Sequence, residues 1–238
     1  MRNGLAALIL FLAGALPASA LQVSPQFFSF HGVPGSKIKS ELILTNDGGD
    51  AANIRLEFTP VTVKPKGWFK LSETEVSLKP GESRKIEVTC RVPRKKGELA
   101  GNLLIICSGD SAWFEIRFNN SVYLRIQGTE VFRARFSDIS AKREGDSLLI
   151  EATLQNTGNV RIKPKLTAEL DLGQIENPGQ IFDAALEDLM PGNSANFSTR
   201  MPFGRDRQAA RTGIISAFFY NAEGKVEKIS QDFKVTQP

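Results

Sequence analysis

Histidine is almost missing from this chain. Its 238 residues include one, His31, alongside two cysteines, three methionines, two tryptophans and two tyrosines. A lone histidine removes most of the acid–base chemistry that proteins run near neutral pH. A serine hydrolase of the usual kind would have to use His31 as its base, and no Gly-x-Ser-x-Gly elbow is present to hold a nucleophile. Without a second histidine or a Cys-x-x-Cys pair, an ordinary zinc site cannot be assembled from nitrogen and sulfur ligands. There is no P-loop, and no Gly-x-Gly-x-x-Gly follows a strand. The expectation is a protein that is not an enzyme, with no metal and no cofactor. His31 itself, beside Gly32 after the first strand-like run, reads as a surface residue.

Charge of one sign is also lacking: 30 Lys and Arg stand against 26 Asp and Glu. Near balance predicts no strong attraction to polyanions, so nucleic acid is not an expected partner. The basic groups Arg84/Lys85 and Arg91 to Lys96 lie in or beside alternating runs, which send neighbours to opposite faces. The densest carboxylates are Glu169, Asp171, Glu176, Asp183, Glu187 and Asp188. They lack the short regular spacing of a calcium loop and read as a solvated face.

Long apolar runs are confined to the start. Arg2, the stretch Leu5 to Leu16, Pro17 and Ala18-Ser19-Ala20 together read as a signal peptide over 1–20, cleaved after Ala20. Its apolar core is shorter than the roughly 20 residues of a membrane helix. The expected product is periplasmic, or extracellular, with no membrane insertion. An exported chain meets oxidising conditions, which allows a disulfide between Cys90 and Cys107. Both lie in apolar alternating runs; two buried thiols packing as small hydrophobes are the other outcome.

What is present is repetition. Thr45-Asn46-Asp47-Gly48 ends one alternating run, and Gln155-Asn156-Thr157-Gly158 ends another. Downstream of each come Pro80-Gly81 and Pro191-Gly192, then a run closing on Pro93 or Pro202, then Gly101 or Gly213 opening a very apolar segment. Four landmarks in the same order point to two copies of one module. Period-two runs with Gly and Pro turns dominate both copies, which predicts an all-β chain of tandem β-sandwiches. The expected domains are 21–128 and 129–238, divided near Gly128-Thr129-Glu130. Helical spacing occurs only over Gln180 to Met190, through Ile181, Ala185 and Leu189, and reads as a short helix or a bent connection.

Phe114 to Ile126 is the most unusual run. Phe114, Ile116, Phe118, Val122, Leu124 and Ile126 share one parity, interrupted only by Asn120. A hairpin turning at Asn119-Asn120 would place Phe118 opposite Ser121 and mix the faces. One uninterrupted strand keeps them clean, although strands usually run to ~5–6 residues. Such a strand overhangs its sheet or lies at an edge, where another chain can pair.

The chain resembles the periplasmic (PapD-like) chaperones of the chaperone–usher pilus pathway, built from two immunoglobulin-like domains behind a signal peptide. Val23-Ser24-Pro25 to Phe30 is similar to their first strand and Lys37 to Asn46 to the next. Leu78-Lys79-Pro80-Gly81-Glu82 is similar to their proline–glycine turn. The resemblance implies β-strand addition to a secreted or pilus-type subunit and, as a further partner, an outer-membrane usher. Phe114, Ile116 and Phe118 fall where the family's donated side chains would be. Matching by strand position puts Phe27 and Tyr123 at the family's two basic cleft sites, where neither supplies a positive charge. Two other readings are a structural or adhesive spacer, and a carbohydrate-binding module stacking sugars on Trp68-Phe69.

Overall fold

The computed structural model describes residues 21–61, 67–109, 115–171, 180–202, 212–221 and 223–236. The leader expected over 1–20, together with Phe114 and Glu176, lies outside them. Among the described residues every regular element is a strand, and no helix is long and apolar enough to cross a membrane.

The chain opens with β1 (Leu21–Ser24), β2 (Phe27–Gly32), β3 (Lys37–Asn46) and β4 (Ala52–Pro60). Then come β5 (Phe69–Leu71), β6 (Glu75–Leu78), β7 (Ser83–Arg91), β8 (Glu98–Gly109) and β9 (Glu115–Ile126). The later strands are β10 (Ala134–Glu144), β11 (Ser147–Asn156), β12 (Lys165–Asp171) and β13 (Gln180–Ala185). Last are β14 (Ser194–Pro202), β15 (Thr212–Tyr220) and β16 (Val226–Thr236). Two compact units result. One holds the described chain up to Phe30 with Lys37–Arg91 and Ala100–Tyr123; the other holds His31–Ser36, Val92–Leu99 and everything from Leu124 onward. The division therefore passes through β2, β8 and β9.

In the first unit a four-stranded sheet, β1-β3-β7-β5, accompanies a five-stranded one, β2-β9-β8-β4-β6. Alternation in sequence becomes alternation in burial. Ile86, Val88 and Cys90 of β7 are fully buried, while Ser83, Lys85 and Glu87 between and before them are exposed. Rings from both sheets lock the core: Phe58 of β4 stacks on Phe69 of β5 at 4.5 Å, and Phe28 of β2 meets Phe69 edge-on at 6.1 Å. Trp68 packs edge-on against Phe58 at 5.2 Å. Trp68 and Phe69 are both buried, so neither offers a face to a sugar.

Cys90 and Cys107 are buried thiols, not a disulfide. They occupy different sheets, Cys90 beside Ile38 and Phe69 and Cys107 beside Ile54, where each fills space as a small hydrophobe. Burial pushes the Cys90 thiol up to about 12, which leaves almost no thiolate to react.

The second unit is built on one seven-stranded sheet, β13-β12-β15-β16-β10-β11-β14. A bulge between Ser137 and Ser140, with Asp138 at a φ of 53°, bends β10. Beyond the bend β10 pairs with β11 on one side and, in parallel, with β16 at Ala141 and Lys142 on the other. The sheet thereby closes over its own core: Leu148, Ile150 and Ala152 of β11 pack with Ala168, Leu170, Ile215 and Phe233 from β12, β15 and β16.

The helix envisaged over Gln180 to Met190 is replaced by β13, antiparallel to β12, with an isolated bridge between Ile162 and Leu189. Ile181, Ala185 and Leu189 are spaced by four, an even number that fits a strand's period of two as well as a helical turn. The backbone edge of β12 decides between them, because a strand satisfies it and a helix does not.

Both copies of the repeat are pinned by the same asparagine. Asn46 Nδ2 donates to the carbonyls of Asp50 (2.8 Å) and Leu78 (3.1 Å), and its Oδ1 accepts from Gly48 N (3.0 Å). Asn156 Nδ2 donates to Val160 (2.8 Å) and Leu189 (2.8 Å), and its Oδ1 accepts from Gly158 N (2.9 Å). The Pro-Gly turns close on the same residues: Gly81 N donates to Asn46 O at 2.7 Å and Gly192 N to Asn156 O at 2.9 Å. The second glycine landmark is steric. A Cβ at Gly101 would strike the ring of Phe58, and one at Gly213 the ring of Phe233, so each glycine lets a phenylalanine lie across its strand.

Candidate functional site

Strand β9 is one uninterrupted strand of 12 residues between β8 and β2. β2 has only six residues. Gln127 N donates to Gly32 O at 2.9 Å, and Asn120 Nδ2 donates to Pro25 O at 2.9 Å. The two contacts advance together along both chains, so β2 runs parallel to β9 and reaches back only to about its middle. Before that point no described strand lies on this side of β9.

Burial along β9 changes at the same place. Val122, Leu124 and Ile126 are fully buried, whereas Phe118 and Ile116, in the same inward row, are half-buried. Asn120 stands between the two groups, itself buried and tied to Pro25. Thus Ile116 and Phe118 lie together on the stretch of β9 that β2 does not reach, while Phe114 falls outside the described residues. Phe27 opens β2 and is 57% exposed. Its neighbours Phe28 and Phe30 turn into the core, so Phe27 points the other way, as does half-buried Tyr123 relative to Val122 and Leu124. The two positions matched to the family's basic cleft sites are therefore aromatic residues on the outer face of one sheet.

Sequence reasoning missed an ionic cluster in the second unit. The side chain of Glu98 is 2% exposed and lies 3.3 Å from both Arg125 Nη2 and Arg161 Nε. Arg161 also holds Asp188 at 2.7 Å, and Arg125 sits over the Phe132 ring at 5.4 Å. Burial pushes the Glu98 carboxyl above the usual carboxylate range, against the opposing pull of Arg161 and Arg125. Ion pairs between residues so far apart in the chain leave no local signature. Both guanidiniums face carboxylates of their own unit, and His31 faces Glu130. Among the described residues no group of three His, Cys, Asp or Glu could hold a metal ion.

No protein-family model matches this sequence, and no curated protein matches it. Solved structures do match the fold. The class 5 fimbriae chaperone CfaA superposes with a TM-score of 0.53 at 11% identity, over 91% of this chain and 99% of that one. A chain of the chaperone–tip adhesin complex of CFA/I fimbriae biogenesis gives 0.50 at 14% identity, again over 91% and 99%. A chain of the CsuC–CsuE chaperone–tip subunit complex of Acinetobacter baumannii gives 0.49 at 12% identity, over 92% and 100%. The chain has the PapD-like fold, a pair of immunoglobulin-like β-sandwiches, and pilus chaperones are among its structural neighbours.

Proposed function

We propose that this is a non-catalytic periplasmic chaperone that captures a secreted or pilus-type protein subunit by β-strand addition, in a pathway that passes its client to an outer-membrane usher. The observation that carries the reading is the coincidence on β9. Among the described residues no strand flanks the β2-side edge of β9 where the inward apolar row becomes half-buried. A guest strand laid along Glu115 to Asn120 would hydrogen-bond to that edge, and Ile116 and Phe118, with Phe114, would fill its groove. Fully burying such a side chain is worth about 1.5–3 kcal/mol. Half-exposure therefore withholds about 1 kcal/mol from each, available to a partner. Phe27 and Tyr123 would receive the guest's end as an apolar surface, not as a pair of cations.

The test is site-specific photocrosslinking in intact cells from position 116, compared with position 117 on the opposite face. The expected result is a discrete adduct with a secreted subunit from 116 and none from 117. Ile116→Asp should stay folded and be unable to compete for that subunit. Loss of folding in Ile116→Asp, together with no adduct from position 116, would mean that the row serves its own core alone. Exported β-sandwich spacers would then be the better description.

A further inference from the structure

We propose that His31 and Glu130 form a protonation-operated latch on the turn after β9, tightening as pH falls from about 7.5 to about 5.5. His31 is the only histidine in the chain. Its Nε2 lies 2.9 Å from Glu130 Oε1, with the imidazole 48% exposed and the carboxylate side chain 7% exposed. Oε2 of the same carboxylate accepts from Thr129 N at 2.9 Å.

The turn they close is a junction of three segments. Thr129 Oγ1 accepts from Gly97 N at 2.8 Å and donates to Ile126 O at 2.7 Å. Asn159 donates to Thr129 O at 2.9 Å and accepts from Val131 N at 2.7 Å. Gly32, next to His31, accepts from Gln127 N at 2.9 Å. The latch therefore joins the end of β2 by side chains to a turn otherwise joined to it through the backbone.

Burial alone would raise the Glu130 carboxyl. Hydrogen bonds from its own amide, from His31 and from the amides of Thr129 and Gly128 outweigh that and hold it below the usual carboxylate range. A depressed carboxylate contributes stability above its unfolded value and loses it only as pH falls through the lower folded value. That window lies below about 4.5, so Glu130 stays anionic between pH 7.5 and 5.5. Protonation turns a hydrogen bond between a neutral imidazole and a shielded carboxylate into an ion pair with the same carboxylate. Among the described residues, Glu223 and Glu227 of the β15–β16 hairpin line a cavity of about 400 Å³ with Glu130. Lys225 is held by Glu223 at 2.6 Å. From the Gly97–Glu98 segment only backbone reaches the turn, the Glu98 carboxylate facing Arg125 and Arg161.

Amide exchange at Gln127 and Thr129 tests the latch by comparing wild type, His31→Gln, Glu130→Gln and the double variant at pH 7.5 and 5.5. At pH 5.5 wild type should be protected about two- to five-fold more than His31→Gln, the range of a partly exposed ion pair. At pH 7.5 that ratio should approach unity. In the Glu130→Gln background the His31→Gln change should make no difference at either pH. A wild-type to His31→Gln ratio that is the same at both pH values overturns the proposal, as does a pH-dependent ratio that survives without Glu130. Should Glu130→Gln fail to fold, His31→Lys replaces it. Equal protection of that variant at both pH values supports the latch, and protection that still changes with pH relative to His31→Gln refutes it.

Discussion

Replacing Asn46 by alanine removes three hydrogen bonds from a site 1% exposed to solvent: those to Asp50 O, Leu78 O and from Gly48 N. Each typical bond contributes about 0.5–1.5 kcal/mol net, and a buried group left without its partner costs about 1–3 kcal/mol. The expected loss is about 2–4 kcal/mol, read by urea unfolding followed through tryptophan fluorescence, since Trp68 is buried in the same unit. Asn156→Ala should lose as much by circular dichroism, because its three bonds run from 2.8 to 2.9 Å in a site with no exposure. Aspartate sharpens the test. It keeps the acceptor for Gly48 N but sets a carboxylate oxygen against two carbonyls, so Asn46→Asp should be worse than alanine at pH 7. It should recover as pH falls, when the protonated acid regains one donor. A loss below about 1 kcal/mol for Asn46→Ala, or an aspartate variant no worse than alanine at pH 7, would refute the view that this asparagine anchors the module.

Two other perturbations probe the second unit. Arg161→Ala leaves Glu98 buried with Arg125 as its remaining arginine, and should cost about 2–4 kcal/mol at pH 7 by urea unfolding. Burial raises the Glu98 carboxyl, so its folded form takes up a proton more readily than the unfolded chain and its penalty shrinks as pH falls. The Arg161→Ala loss should therefore be smaller at pH 5, and a loss independent of pH refutes the assignment. Gly213→Ala drives a Cβ into the Phe233 ring and the Glu169 carbonyl. It should lower stability by about 1–3 kcal/mol in thermal melts, and an unchanged midpoint would mean that the ring moves freely.

The landmarks legible in the sequence are those that recur in the same order. Asn46 and Asn156, Pro80-Gly81 and Pro191-Gly192, and Gly101 and Gly213 were visible as a repeat because few residue types can do their work, although their partners, such as Leu78 for Asn46 and Phe58 for Gly101, lie far along the chain. The single long strand was legible because a turn at Asn119-Asn120 would have crossed the faces, and β9 does run through. Three things were hidden. The strand β13 could not be told from a helix because a spacing of four serves both periods, and only the open edge of β12 chooses. The Glu98–Arg125–Arg161–Asp188 cluster joins residues from four separate stretches, so nothing local announces it. The sequence likewise could not say that Cys90 and Cys107, equally suited by spacing to a bond or to packing, would be thiols.

The stretch of β9 beyond the reach of β2 has a sequence cause on the neighbouring strand. β1 is committed to the other sheet, where Leu21 to Ser24 pair with Asn46 to Ile43. The chain must therefore change sheets between Ser24 and Phe27. Pro25 stands at the crossing and has no N–H to continue a ladder along β9. Its carbonyl is taken instead by the side chain of Asn120. This is the one polar residue in the inward row of β9, and its place follows: it satisfies the backbone where the neighbouring strand departs. On one side of it the row is sealed by β2, and on the other Phe118 and Ile116 are half-exposed. A proline on one strand and an asparagine on the next thus set where the fully buried row of β9 ends, which is also where the described strand beside it ends.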